Sequence, residues 1–453
     1  MKFEKDGLDL LREAVEHMES GFSRLPDIDA PVDMNALRDV LMEAAGRMQD
    51  NYPYFHPYYA GQMLKPPHPV ARLAYMLAMW VNPNNHALDG GRASSHMEKE
   101  AVAELARMFG WESHLGHLTS GGTMANLESL WVSGRLNPGR KVLASTQAHY
   151  THSRISEVLH LDFEAIPCDT RSRMDATALE SRLKKGDVGT VVATIGTTGT
   201  GAVDPLPDIL ALRDRYGFRL HADAAYGGYY VLVDNLAEEA AATYRGLGEV
   251  DSLVIDPHKH GLQPYGCGCV LFKDPSVGTL YKHDSPYTYF SSSELHLGEI
   301  SLECSRAGAS AVALWATQRL LPMTREGEFA RGLAKCREAA LQLYRKLNSD
   351  ERFLTMFEPD LDIVIFAPRA ESSRAISRLS KALFDEAAAS DLHLALFSYP
   401  SRLLRDAWPG VVFEGETVTC LRSCLMKPEH QEWVERIWEL LGKSLDSISS
   451  RDE

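Results

Sequence analysis

Two rhythms of apolar positions alternate along the 453 residues of this chain. Residues 8–20 (LDLLREAVEHMES) repeat apolar side chains every three or four positions, which predicts an amphipathic N-terminal helix, and 36–48 carries the same rhythm. Between them, 24–35 is punctuated by proline and predicts no regular element. From about residue 98 the pattern becomes repetitive. Helices are predicted at 98–108, 124–133, 152–159, 176–184 and 207–215. Short apolar runs at 141–145 (KVLAS), 163–166 (FEAI), 190–195 (TVVATI), 218–222 (FRLHA), 252–256 (SLVID) and 268–272 (GCVLF) read as strands. Apolar strands alternating with amphipathic helices predict a mainly parallel sheet covered on both faces. Long helices follow at 305–320 and 324–348. A smaller α+β unit comes next, with strands near 362–367, 392–397 and 417–424 and helices near 371–388 and 429–446.

The expected division is a helical and extended N-terminal segment over 1–70, a large domain over 71–325 and a small C-terminal domain over 326–453. One stretch fits neither rhythm. Asn51 to Leu64 (NYPYFHPYYAGQML) is too broken by proline for a helix and too apolar for a solvated loop, so it is expected to pack against the main domain or a second subunit.

Composition narrows the classes. The chain is 45% hydrophobic and 24% charged, ordinary for a globular protein, and its length allows roughly two to three domains. A net charge of −15 leaves no electrostatic footprint for nucleic acid or anionic lipid. The first residues lack an apolar run, so no signal peptide is expected, and no stretch reaches the length of a membrane span. Seven cysteines lack zinc-type spacing and are read as buried thiols in a reducing cytoplasm, with no metal site indicated.

In such sheets ligands bind at the carboxyl ends of the strands, and the polar punctuation falls there. Ser120-Gly121-Gly122-Thr123 opens a helix; glycines allow close approach and the N–H groups favour a phosphate, with Thr123 as a hydroxyl donor and cap. Taken alone, the motif is better explained as an ordinary N-cap after a glycine turn. His149 lies just past 141–145 and is placed to stack on a planar ring or move a proton, although most histidines are simply satisfied surface groups. Gly196-Thr197-Thr198-Gly199-Thr200-Gly201 ends another strand with clustered hydroxyls. Asp223 closes an apolar strand and requires a cationic partner; Ala225, two residues on, shares its face and leaves room for something flat. Finally, Leu253-Val254-Ile255-Asp256-Pro257-His258-Lys259 delivers a lysine at a strand end, where desolvation turns an ammonium into a nucleophilic amine, unless it merely snorkels to solvent.

The order of these segments discriminates better than any one of them. A phosphate cup, a histidine, a hydroxyl pair, Asp-x-Ala and His-Lys each follow a strand of one sheet. This arrangement resembles the fold-type I pyridoxal-phosphate enzymes, and within them the group II amino-acid decarboxylases. The strongest matches are His221-Ala-Asp-Ala-Ala-Tyr, Asp256-Pro-His-Lys, Gly196-Thr-Thr-Gly and Cys304-Ser-Arg306. The resemblance implies a fold-type I transferase fold, with a large mainly parallel sheet of the seven-stranded type and a small C-terminal α+β domain. It implies a homodimer with the site at the subunit interface, and pyridoxal 5'-phosphate as cofactor. Lys259 then forms the Schiff base, Asp223 partners the pyridine nitrogen, His149 stacks on one ring face and Ala225 packs under the other. Gly122, Thr123 and His258 surround the phosphate, and Thr198 lies near the ring and the substrate carboxylate.

The implied reaction is decarboxylation of an L-amino acid, releasing CO2 and an amine by way of an external aldimine and a quinonoid. A carbon–carbon lyase resembling the sphingosine-phosphate lyases, or a decarboxylation-dependent oxidase, is the alternative. It is motivated by the compact segment 281–290, where Tyr287 and Tyr289 are the candidates for reprotonation. Gln62 falls where aromatic-specific members place ring side chains, which hints at a smaller or more polar substrate. Arg422 resembles the C-terminal-domain arginine of the fold and is positioned either for a carboxylate or for a structural ion pair.

Overall fold

A computed structural model of the chain describes residues 5–26, 28, 30–282 and 295–450. Seven strands form one sheet in the order β1-β7-β6-β5-β4-β2-β3: β1 Leu115–Thr119, β2 Lys141–Ser145, β3 Phe163–Ile166, β4 Val188–Thr194, β5 Arg219–Asp223, β6 Ser252–Ile255 and β7 Gly268–Phe272. Helices between β2 and β3, β3 and β4, β4 and β5, and β5 and β6 carry the chain back across the sheet, so β3, β2, β4, β5 and β6 pair in parallel. No helix separates β6 from β7, and β7 returns antiparallel between β6 and β1. All strands except β7 therefore point one way, and their carboxyl ends share one edge.

Sequence periodicity misses β1. Its Gly116 and His117 interrupt the apolar run, yet both belong in the core. A Cβ on Gly116 would lie 2.6 Å from a Leu271 methyl and 2.8 Å from the Val270 carbonyl oxygen. His117 is fully buried, with Nε2 2.9 Å from Glu128 and Nδ1 2.8 Å from the Leu118 carbonyl. A buried histidine is tolerated because both ring nitrogens are partnered.

The second sheet, β10-β11-β9-β8, is antiparallel: β8 Phe353–Thr355, β9 Ile363–Pro368, β10 Ala395–Pro400 and β11 Thr417–Cys424. The strand expected at 392–397 begins only at Ala395, because Asp391 turns through a left-handed φ of 64°. It ends in Pro400, which an edge strand accommodates. One apolar core runs through both units, joining Ile195 and Val203 to Ile363 and Ile365.

The aromatic segment lies on the small unit. His393 donates to the Tyr58 carbonyl, Ala60 to that of His393 and Cys424 to that of Ala60, at 2.9, 2.9 and 2.7 Å. The Tyr58 ring packs edge-on to Trp433 at 5.1 Å. By contrast, the helix Met34–Met48 buries no residue and exposes Met34, Val40, Leu41, Met42 and Met48. Among the described residues no helix is long and apolar enough to cross a membrane. Six cysteines are buried free thiols as expected; Cys304 is exposed, which corrects that reading for one position.

Candidate active site

The carboxyl ends of β1, β2, β4, β5 and β6 open into one cleft of about 320 Å³. Ser120, Gly121, Gly122 and Thr123 enter it after β1, His149 after β2, Thr194, Gly196 and Thr198 at the end of β4, Asp223 and Ala225 at the end of β5, and Asp256, His258 and Lys259 after β6. Every residue that the sequence assigned to the ring, the phosphate and the covalent anchor lines this one space.

The helix Gly122–Leu136 starts at the cleft without a side chain capping it. The expectation that Thr123 caps this helix is corrected here, because Thr123 lies inside its first turn. The leading N–H groups thus face the cleft at the positive end of the helix dipole. At Gly196 the backbone takes a φ of 96°, which glycine adopts without strain, and a Cβ there would come within 3.1 Å of the Gly227 nitrogen. Thr197 and Thr200 spend their hydroxyls on each other at 2.9 Å within this turn, leaving Thr198 to face the cleft.

Asp223 is 6% exposed, and the donor it requires is His152, whose Nε2 lies 2.8 Å from Oδ2. A second hydrogen bond comes from the Ala225 N–H at 3.2 Å. Burial acts to raise the Asp223 carboxyl. The His152 hydrogen bond and the positive groups around it outweigh burial and hold the carboxyl well below the usual carboxylate range. His152 is a functional residue that the sequence reading missed. It sits one helical turn beyond His149, and that three-residue spacing was the available signal. Behind Asp223, His221 bonds Asn126 at 2.8 Å and Ser252 at 3.0 Å, and burial pushes its imidazole down to about 3.

Burial also lowers His149, whose Nδ1 is 2.5 Å from the Thr151 hydroxyl. The ring is therefore a neutral plate at neutral pH. Lys259 Nζ lies 3.1 Å from Asp256 Oδ2, and the Lys259 N–H donates to the Asp256 carbonyl at 2.9 Å, so one tight turn fixes both. Asp256, quoted in the motif but given no role from sequence, is 2% exposed. His260 and Tyr226 meet Asp362 of the small unit at 3.3 and 2.6 Å. Burial acts to raise Asp362, and these partners outweigh it, lowering the carboxyl.

The cleft fits a group carrying an anion, a ring nitrogen and an aldehyde. It holds uncapped helix N–H groups, an ionised carboxylate and a lysine amine. Among the described residues, buried Asp256 Oδ1, His258 Nδ1 and Thr194 Oγ1 have no hydrogen-bond partner. A Cβ on Gly122 would meet Asp256 Oδ2 at 2.6 Å, so only glycine leaves the approach open.

Two of the sequence candidates, Gln62 and Arg422, lie elsewhere. Gln62 is exposed and does not line the cleft. Arg422, on β11, is 6% exposed and does not line it either. Its Nε is 3.3 Å from Cys424 Sγ, and no carboxylate among the described residues pairs with it, so a structural ion pair does not account for it. Tyr287 and Tyr289 lie outside the described residues. Arg306, part of a matched motif, bridges Glu98 and the Leu118 carbonyl at 2.6 Å each and serves the scaffold.

Comparison with known proteins places this geometry. Residues 126–369 match the family model of the pyridoxal-dependent decarboxylase conserved domain. The chain is 27% identical to an L-tyrosine decarboxylase of Enterococcus faecium over 78% of this chain and 76% of that one. It is 28% identical to a probable L-tyrosine/L-aspartate decarboxylase of Methanothermobacter thermautotrophicus over 68% of this chain and 82% of that one. The structure of Oryza sativa TDC with PLP and tryptamine superposes with a TM-score of 0.77 at 18% identity, covering 99% of each chain.

Proposed function

The chain belongs to the pyridoxal-dependent decarboxylase family, and from that premise we propose that the cleft from Ser120 to Lys259 is its catalytic centre and that the substrate is an L-amino acid. The protein is a pyridoxal-phosphate-dependent amino-acid decarboxylase, a carboxy-lyase. When bound, the cofactor supplies an aldehyde for amines and a ring that accepts electrons as the carboxylate leaves.

The observation that carries the site reading is the joint placement of Lys259, Asp223 and the uncapped helix start on one cleft. Lys259 offers the anchoring amine. Asp256 Oδ2, within hydrogen-bond reach of Nζ, holds and orients that amine at the cleft. Asp223 remains ionised at any working pH and holds a proton on a ring nitrogen facing it. His149, neutral and planar, covers a ring, and Ala225 keeps the opposite side clear. Gly122, Thr123 and His258 meet the phosphate, and Thr198 orients ring and substrate. Gln62, Arg422, Tyr287 and Tyr289 are kept as candidates for the substrate side.

The proposed organisation retains a segment 1–70, a large domain 71–325 and a small domain 326–453. The unburied apolar face of Met34–Met48 supports a homodimer, with that helix covered by the second subunit and the cleft near the interface. Seven free cysteines support a cytoplasmic location. The relatives' names point the assay toward tyrosine and aspartate first. A panel of amino acids, with amine product identified by mass spectrometry and oxygen followed in parallel, is expected to show CO2 release without oxygen uptake. Oxygen consumption matching product would turn the reading to an oxidase. Lys259→Ala is expected to abolish turnover and the borohydride-reducible cofactor adduct together; an adduct that survives sinks the anchor assignment.

A further inference from the structure

A second cleft, of about 470 Å³, is lined by residues at the starts of three helices, Pro69–Met79, Glu328–Ser349 and His430–Ser449. Two lysines that the catalytic reading does not use reach the same space, Lys65 and Lys427. Lys427 is 3% exposed, and its ammonium donates only to the Tyr59 carbonyl at 2.6 Å while lying 5.3 Å from the Tyr59 ring centroid. Lys65, half-buried, donates to the Met426 carbonyl at 3.2 Å.

An ammonium carries three donors, and a buried one is normally matched by a carboxylate. Neither lysine has such a partner among the described residues. His260 also lines the cleft, fully buried, and its Nδ1 has no partner among the described residues. The carboxylates that reach this space, Glu328 and Glu429, are exposed, as are Arg331 and Lys335. Of the carboxylates, Glu429 acts on both lysines and the buried Asp362 on Lys65, each opposing the lowering that burial imposes.

We propose that this cleft binds a small oxyanion, a carboxylate or a phosphate, between the ammonium groups of Lys65 and Lys427. Such a ligand fills the open donors of both lysines and neutralises two like charges held close together. Burial, and then the neighbouring Lys65, bring Lys427 down to about 7, with Glu429 opposing the shift. The inference does not depend on which amino acid the catalytic cleft accepts.

The test uses holoenzyme, whose cofactor site is already filled, in Tris buffer. Inorganic phosphate and, separately, acetate are titrated by calorimetry. One phosphate per subunit is expected beyond the cofactor. Its affinity should fall at least tenfold in Lys427→Met and in Lys65→Met, with the cofactor absorbance unchanged. Competition by acetate marks a site for carboxylates in general, and its absence a site for phosphate. Should the variants fail to fold, acetylation of Lys427 in the unaltered holoenzyme, read by mass spectrometry, is expected to slow in the presence of phosphate. No binding of either anion up to tens of millimolar overturns the proposal, as does binding that both variants retain or acetylation that phosphate leaves untouched.

Discussion

Gly122→Ala isolates one feature of the catalytic cleft, the narrow gap between a helix start and a carboxylate. The added Cβ would stand 2.6 Å from Asp256 Oδ2, 3.0 Å from Oδ1 and 3.1 Å from Cγ. Carbon–oxygen contacts become comfortable at about 3.3 Å, so something must yield by about 0.7 Å. Asp256 is 2% exposed and its Oδ2 holds Lys259 Nζ at 3.1 Å, so a withdrawing carboxylate drags the anchor with it. In the apoenzyme the turn and the helix start can move apart. With cofactor bound, the lysine is fixed at one end and the helix N–H groups at the other, so the strain falls on the bound form. Overpacking of this kind costs ~1–3 kcal/mol, which at about 1.4 kcal/mol per decade weakens cofactor affinity by roughly 5- to 150-fold. Titrating apoenzyme with pyridoxal phosphate, followed by absorbance, measures it. Gly46→Ala, in an exposed helix where a Cβ meets nothing within 4 Å, is the control and should leave affinity unchanged. Affinity within twofold of wild type in Gly122→Ala, with an unchanged unfolding midpoint, would refute the reasoning.

Three further outcomes follow from the same geometry. Lys259→Ala should lose turnover and cofactor adduct together, as above. His152→Ala removes the 2.8 Å bond to a buried carboxylate and should cost the apoenzyme ~1.5–3 kcal/mol in chemical denaturation. Because the folded Asp223 value lies below the unfolded one of about 3.9, its stabilisation is whole above that pH and is lost as pH falls through the folded value. A deficit that grows in acid contradicts the pairing. Asp362→Asn weakens the contacts to Tyr226 and His260 and should lower stability by ~1–3 kcal/mol. An unchanged denaturation midpoint would show that this carboxylate does not tie the small unit to the Lys259 turn.

Strands with unbroken apolar runs were readable because burial on both faces leaves the sequence no polar alternation. β1 was not, since its glycine is a core residue by virtue of Leu271, more than a hundred positions away, and its histidine by virtue of Glu128 on the following helix. Helix Pro69–Met79 was hidden behind three prolines, although proline at a first turn is compatible with a helix. The candidate residues that line the cleft were legible because each follows a strand, and strand ends of one parallel sheet converge. Those that act from behind were not. His152 and Asp362 reach their partners across 71 and 136 positions, and no local pattern encodes such a pairing. Gln62 was placed by correspondence with a segment that here lies on the small unit, outside the cleft.

Two buried carboxylates face the catalytic cleft, and the fold gives each its own partner from a different direction. Asp223 is served by a histidine in the helix after β2, which with the positive groups around it holds the carboxyl in its charged form, and Asp256 by the lysine three residues along its own turn. The short helix Thr151–Val158 links the two halves of this arrangement, because His149 at its entry faces the cleft and His152 one turn later backs Asp223. A single helical turn thus ties the histidine that enters the cleft to the one that backs Asp223.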